Sequence, residues 1–301
     1  MSNQVLHVSS ETIEEMERFY KDYLSSKLPP GSVFVAKLPQ CVITAYRSGK
    51  VLFQGALGDK EAKRWDETIT KERTDASATD AFYHRSFIGS DEVGTGDYFG
   101  PITVVASYVK KEQIPILQQI GVKDSKHLTD DHIVQIAKKL ISIVPYSLLI
   151  LSNEKYNTLQ QRGYPQTKMK AILHNQAIVH LLKKIAPEQP EGILIDQFID
   201  QDKYYSYVKG QKEVVTTNVH FRMKAEQLHL SVAASSIIAR YAFLKEMHRL
   251  SEKAGFSLPK GAGKQVDEAA ARLLREQGEE ALRMYCKLHF ANTEKAKRLV
   301  K

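Results

Sequence analysis

Cysteine is nearly absent: Cys41 and Cys286 are the only two among 301 residues. Neither has the spacing of a zinc site, and two distant thiols make no disulfide framework. Both read as reduced thiols of a cytoplasmic protein. No apolar run is long enough to span a bilayer. The opening MSNQVLHVSS lacks the charged and apolar regions of a secretory signal. Internal repeats and low-complexity tracts are also missing. A soluble globular chain is expected, long enough to bury two cores.

Acidic residues are in the minority. Net charge is +8, and the surplus is uneven: residues 1–80 carry 11 basic and 12 acidic residues, residues 81–301 carry 32 and 23. A basic surplus in the larger part points to a polyanionic partner, nucleic acid first, although many basic proteins bind none.

Residues 3–8 alternate as a short strand. Ser9 and Ser10 offer a helix cap, and Ile13, Met16, Phe19, Tyr20, Tyr23 and Leu24 recur at helical spacing over Thr12–Ser25. Leu28-Pro29-Pro30-Gly31 ends that helix. Val33–Val35, Cys41–Tyr46 and Val51–Gln54 read as strands, with Ser48-Gly49 turning between the last two. A polar helix over Lys60–Arg73 and a small, polar linker over Thr74–Tyr83 follow. The pattern is a β-α-β-β-β unit with a boundary near residue 80.

The larger part opens on RSFIGSDEVGTGDYFGP. Phe87 and Ile88 lead into the acidic pair Asp91-Glu92, glycines follow at 94, 96 and 100, and a second apolar run covers Ile102–Val105. This predicts strand, tight turn, strand. Two adjacent carboxylates at a buried strand end repel each other unless a cation neutralises them, though a solvated hairpin tip gives the same pattern. Helices are predicted over Ile114–Ile120, from the Thr129 cap onward, over Asn153–Gln161 and over Lys168–Ile185. Tyr146–Leu151 reads as a buried strand. His174 and His180, six apart on one helix, suit no common face and are read as structural or surface. Gly192–Asp196 is an apolar run ending in an acid, the pattern of a central strand whose carboxyl end presents Asp196. Val214–Val219 is a further predicted strand. Glu226 stands at or just before a helix whose small residues, Ala233, Ala234, Ser235, Ser236 and Ala239, permit close packing on the sheet. A basic loop over 258–264 and two basic helices complete the chain.

Asp91, Glu92, Asp196 and Glu226 therefore stand where the chain changes direction. A carboxylate cluster without His or Cys suits a hard cation such as Mg²⁺ or Mn²⁺, and two such ions can hydrolyse a phosphodiester. Spacing alone favours the plainer reading of salt-bridged or solvated acids.

The strings IGSDEVGTGDYFGP, KDSKHLT, ILIDQF and SVAASSIIAR, in this order, resemble the type 2 ribonucleases H. The GTG after the acidic pair and the separate N-terminal part resemble the ribonuclease HIII branch, and the likeness spans essentially the whole chain. It implies an α/β architecture: an RNase H-like fold over 81–301, with a mixed central sheet flanked by helices. Residues 1–80 would form a small α+β domain similar to a TATA-box-binding-protein repeat that binds substrate. The implied activity is endonucleolytic cleavage of the RNA strand of RNA/DNA hybrids, leaving 5′-phosphate and 3′-hydroxyl ends, at hybrids arising in replication, primers and R-loops. The implied cofactors are two Mg²⁺ or Mn²⁺ ions held by Asp91, Glu92, Asp196 and Glu226. The fourth acid is Glu where ribonuclease HII typically has Asp, which fits the HIII branch.

The resemblance also implies substrate contacts. Gly94, Thr95 and Gly96 are expected at the ribose 2′-hydroxyl, which distinguishes RNA from DNA; the alternative is that they only shape the turn. Ser125 and Lys126 resemble phosphate-contacting residues, Lys126 otherwise being an exposed loop lysine. Lys260 and Lys264 hold phosphates or are merely solvated. Lys37, Arg47 and Lys50 either touch the duplex or belong to a neutral packing module. Asp97 lies beyond the glycine turn and is left out of the metal set. Ribonuclease HII has an arginine between the two glycines that helps recognise a ribo-to-deoxyribo junction. This chain has Thr95 there, so a preference for RNA tracts over single embedded ribonucleotides is expected. Nothing marks an obligate protein partner, and a monomer without membrane attachment is expected.

Overall fold

The computed structural model describes residues 2–8, 10–65, 82–122 and 128–300. The chain divides into two compact units, Met1–Ala78 and Thr79–Lys301. Among the described residues, no helix is long and apolar enough to cross a membrane.

In the first unit, β1 (Ser2–His7), β2 (Ser32–Leu38), β3 (Cys41–Tyr46) and β4 (Lys50–Gly55) form an antiparallel sheet in the order β1-β4-β3-β2. Helix α1 (Ser10–Phe19) lays Ile13 and Met16 against Phe34, Ile43, Val51 and Phe53, and α2 (Gly58–Trp65) adds Ala62 to the same core. The helix predicted to reach Ser25 stops at Phe19. Leu24 bridges Ala36, and the Ser25 amide donates to the Val35 carbonyl at 2.7 Å. The strand edge thus captures the backbone that the helix would have used. The remainder of the predicted Lys60–Arg73 helix, and the linker up to residue 81, lie outside the described residues. Lys37, Arg47 and Lys50 are all exposed.

The second unit runs β5 (Phe87–Val93), β6 (Ile102–Val109), α3 (Ile114–Ile120), α4 (Asp130–Ile143), β7 (Tyr146–Leu151), α5 (Asn153–Gln161), α6 (Gln166–Ile185), β8 (Gly192–Asp196), α7 (Gln201–Val208), β9 (Val219–Arg222), α8 (Leu230–Ala254), α9 (Lys264–Gln277), α10 (Leu282–Tyr285) and α11 (Ala291–Val300). Its sheet has the order β7-β6-β5-β8-β9. The β7-β6 and β6-β5 pairs are antiparallel, and β5-β8 and β8-β9 are parallel.

Each face of this sheet buries a separate core. On one face Ile88, Val104, Ala106, Ile193 and Ile195 meet Ile178 and Leu181 of α6. On the other, Val105 and Val109 meet Ala233, Ala234 and Ile237 of α8, with α4 outside them. Contact with α8 is close because small residues line it. A Cβ at Gly89 would lie 2.2 Å from the Val232 amide nitrogen. The Ser235 hydroxyl donates to the Gly89 carbonyl at 2.9 Å, and the Ser107 hydroxyl donates to that of Ser231 at 2.8 Å.

Three expectations need correction. Tyr146–Leu151 is an edge strand, mostly half-buried, rather than a buried one. The last strand begins at Val219, not Val214. Asn175 of α6 takes up the earlier segment, donating to the Glu213 carbonyl at 2.7 Å and accepting from the Val215 amide at 3.0 Å. The C-terminal region holds three helices rather than two, because a turn after Gly278 and the buried Lys287 interrupt the helical run.

Helix α8 starts on an unusual cap. His229 Nδ1 accepts from the Ser231 amide at 3.0 Å, while Nε2 lies 3.0 Å from the Arg85 carbonyl, which can only accept. This pattern requires the neutral Nε2–H tautomer. Burial pushes the imidazole down to about 4 from an ordinary value of 6.5, against the opposing effect of the Arg85 carbonyl. Above pH 6.5 neither native nor unfolded chain holds this proton. Between 6.5 and 4 the unfolded chain takes it and the native chain does not, so stability falls on acidification through that window. His229→Asn, which can still cap, is expected to remove about 2 kcal/mol of the stability difference between pH 7 and pH 5 in denaturant titrations.

Candidate active site

The site follows from strand alternation and register. Successive residues of a strand face opposite sides of its sheet. Along β5, Ile88 and Ser90 face α6 and Gly89 faces α8, so Asp91 falls on the α8 side and Glu92 on the α6 side. The register pairs Ser90 with Ile195 in the parallel β5-β8 ladder. One step further, Asp91 and Asp196 leave the carboxyl ends of adjacent strands on the same face. Asp196 Oδ1 accepts from the Ala225 amide at 2.8 Å, which brings the 3₁₀ turn Ala225–Gln227, and with it the buried Glu226, alongside.

The electrostatics around Asp91 are unfavourable to its charge. Asp91 is pushed up to about 8, by burial first and then by the charges of Glu92 and Asp196; the Ser236 hydroxyl and the Glu92 amide act against that rise. The Glu92 amide donates to Asp91 Oδ1 at 2.7 Å. Among the described residues, no three carboxylate, histidine or cysteine side chains form a preassembled metal cage. The donor chemistry nevertheless fits a hard dication: oxygen ligands only, with the carboxylates of Asp91 and Asp196 close enough to repel each other, a repulsion a cation would reverse. Mg²⁺ in particular is often held by one or two carboxylates together with substrate phosphate.

Glu92 sits differently. Lys170 Nζ donates to its Oε1 at 2.5 Å, and His174 Nε2 lies 2.9 Å from its Oε2. Burial alone would raise this carboxyl, but His174 and Lys170 outweigh it and hold it down at about 2. His174 is fully buried, with Nδ1 2.7 Å from the Ser90 hydroxyl, and stacks on Phe198. Of the two histidines read as structural or surface, His174 is buried and holds Glu92, and His180 is exposed. Pairing the two histidines with each other concealed the useful spacing. Lys170 and His174 are i, i+4 on the buried face of α6, an unusual place for a lysine.

The predicted tight turn is an eight-residue loop, 94–101, fastened on several sides. Gln166 Nε2 donates to the Thr95 carbonyl at 3.0 Å. Lys287 Nζ, fully buried, donates to the carbonyls of Asp97 at 2.7 Å and Gly100 at 2.6 Å. Asp97 Oδ1 accepts from the Gly261 amide at 2.6 Å, which occupies it away from the other acids. Gly94 is buried, Thr95 half-buried and Gly96 exposed. Lys260 pairs with Asp130, which Arg240 also holds at 2.7 Å, whereas Lys264 lies 3.7 Å from Glu268 and is almost fully exposed. Ser125 and Lys126 lie outside the described residues. Sequence reasoning missed Gln166, Lys170 and Lys287.

Comparisons with known proteins identify the family. The Ribonuclease HII family model matches residues 88–293, and a domain of unknown function, DUF3378, matches residues 3–78. Ribonuclease HIII of Bacillus cereus (strain ATCC 10987) is 55% identical over 312 aligned positions, covering 100% of both chains. Ribonuclease HIII of Bacillus thuringiensis subsp. konkukian is 54% identical over the same extent. The crystal structure of Bst-RNase HIII in complex with Mn²⁺ superposes with a TM-score of 0.74 at 46% identity, covering 100% of this chain and 99% of that one. Aquifex aeolicus RNase H3, at 20% identity and a TM-score of 0.56 over 95% of this chain and 99% of that one, shares the fold.

Proposed function

Since this chain belongs to the ribonuclease HIII family of the type 2 ribonucleases H, we propose that it cuts the RNA strand of RNA/DNA hybrids with the help of two divalent cations. The products are 5′-phosphate and 3′-hydroxyl ends. The single observation that carries the reading is the adjacency of Asp91 and Asp196 at neighbouring parallel strand ends, with Asp91 pushed up to about 8 by burial and by the charges beside it.

Asp91, Glu92, Asp196 and Glu226 would hold Mg²⁺ or Mn²⁺, Asp91 being the most central. Bound there, the ions supply charge neutralisation at the scissile phosphate and activation of water. Asp91 is oriented by the Glu92 amide and Asp196 by the Ala225 amide, so two of these carboxylates are preset before substrate arrives. Gly94, Thr95 and Gly96 would meet the ribose, and the Gln166 contact steadies the Thr95 carbonyl for that role. Ser125 and Lys126 would contact backbone phosphate as a hydroxyl donor and a point charge. The unit spanning Met1–Ala78 would add duplex contacts through Lys37, Arg47 and Lys50. The enzyme would work as a monomer in the cytoplasm, preferring RNA tracts over single embedded ribonucleotides because Thr95 replaces a junction-reading arginine.

The test uses a labelled RNA/DNA hybrid, plain duplex DNA and a DNA duplex with one ribonucleotide, each with Mg²⁺, Mn²⁺ or chelator. The hybrid should be cut within its RNA strand with either metal and left whole under chelator, and duplex DNA should stay intact. Cleavage at the single ribonucleotide should be at least about tenfold slower, the order of one lost recognition contact. Equal rates on the two ribonucleotide-containing substrates would indicate ribonuclease HII-like specificity. Hybrid binding without cleavage would indicate a non-catalytic binder.

A further inference from the structure

Glu92 is gripped at both oxygens from α6, on the opposite side of the sheet from the face shared by Asp91 and Asp196. The grip is deeply buried: side-chain exposure is 9% for Lys170, 11% for Glu92 and 0% for His174. A lysine this deep is costly unless its charge is used. Its ammonium also lies 3.9 Å from the centroid of the Phe198 ring, two residues past Asp196. An aromatic face is a favourable resting place for a cation that leaves its carboxylate.

We propose that Lys170 is a resident counter-cation for Glu92, which a divalent ion must displace from Oε1 before Glu92 can serve as a ligand, leaving the ammonium on the Phe198 face that it already touches. The proposal rests on the reading of Glu92 as a metal-holding carboxylate. His174, braced by Ser90 on one side and Phe198 on another, is a positioning residue that keeps hold of Oε2 while Oε1 changes partner. Lys170 neutralises Glu92 whenever no dication does, and by the same charge it competes with that dication. The exchange makes and breaks ion pairs only, with no covalent or redox step.

Competition of this kind has a sign that a merely structural lysine lacks. Lys170→Met keeps the length and the contact with Phe198 but removes the charge. In Mn²⁺ titrations without nucleic acid, followed through the electron paramagnetic resonance of the free ion, Lys170→Met should bind Mn²⁺ about tenfold more tightly than wild type. That is a modest effect for removing a unit charge beside a dication in a partly buried site. Its metal-free thermal midpoint should fall at the same time. The Mn²⁺ concentration giving half-maximal cleavage should fall by a similar factor, whatever happens to kcat. In a Glu92→Gln background the same substitution should give no gain in affinity. Lys170→Arg keeps the charge and guards against a variant that does not fold: it should bind Mn²⁺ no more tightly than wild type.

Unchanged or weaker Mn²⁺ binding by folded Lys170→Met would overturn the proposal, as would tighter binding by Lys170→Arg or an undiminished gain without Glu92. Failure of the wild-type protein itself to bind Mn²⁺ would instead count against the metal reading of the acids.

Discussion

Asp91→Asn is expected to slow cleavage of an RNA/DNA hybrid by about a thousandfold or more, while hybrid affinity stays within about threefold. The asymmetry comes from where the residue sits. Asp91 adjoins both Glu92 and Asp196, and their charges oppose its own. An amide keeps the shape and the contact with the Glu92 amide but no longer attracts a cation. Duplex binding draws on phosphate contacts spread over a basic chain, which one buried side chain hardly alters. Keeping this carboxyl from ionising, with its titration pushed up to about 8, costs the metal-free protein stability at neutral pH; an amide carries no such cost, so the metal-free protein should melt higher, by roughly 2–4 °C for each kcal/mol relieved in a domain of this size. A rate within tenfold of wild type, or a metal-free midpoint lower than wild type, would contradict the proposed role of the residue.

A pair of glycine substitutions should separate shape from recognition in the 94–101 loop. Gly94 adopts φ of +95°, and a Cβ there would lie 2.2 Å from the Pro101 carbonyl oxygen and 3.0 Å from the Phe243 ring. Gly94→Ala therefore combines backbone strain with a collision against main chain, and should cost about 3 kcal/mol or more in denaturant titrations. Gly96 has ordinary backbone geometry, and a Cβ added there would meet nothing within 4 Å. Gly96→Ala should leave stability within about 0.5 kcal/mol, because the fold makes no demand for glycine there. If the ribose approaches this backbone, the added methyl blocks it, and kcat/KM on the hybrid should fall about tenfold or more. Wild-type cleavage by Gly96→Ala would mean that the glycines only shape the loop.

How much of this was legible beforehand depends on the kind of interaction. Apolar runs ending in acids were sufficient to bring Asp91 and Asp196 to neighbouring strand ends, because parallel strands in one sheet share an end. The small residues of α8 were equally readable as a close-packing face. Adjacent strand residues face opposite sides, so the divergence of Asp91 and Glu92 was implicit in their spacing. The partners of Glu92 were harder to see. Lys170 looks like any helical lysine until α6 is docked, and only burial shows that its charge is used. Lys287 is similar: it packs inside because the carbonyls of Asp97 and Gly100 await it 190 and 187 residues away in sequence. The displaced last strand shows long-range contact overriding local preference. Val214 to Thr217 favour strand, yet Asn175 captures that segment first and pairing starts at Val219.

Anomalous diffraction from crystals of the protein soaked in Mn²⁺ tests the central claim most directly. An ion should appear about 2.0–2.2 Å from a carboxylate oxygen of Asp91, with Asp196 or Glu226 in the same coordination shell. Mn²⁺ bound elsewhere with Asp91 uncoordinated, or no ion at this strand-end cluster at saturating Mn²⁺, would contradict it.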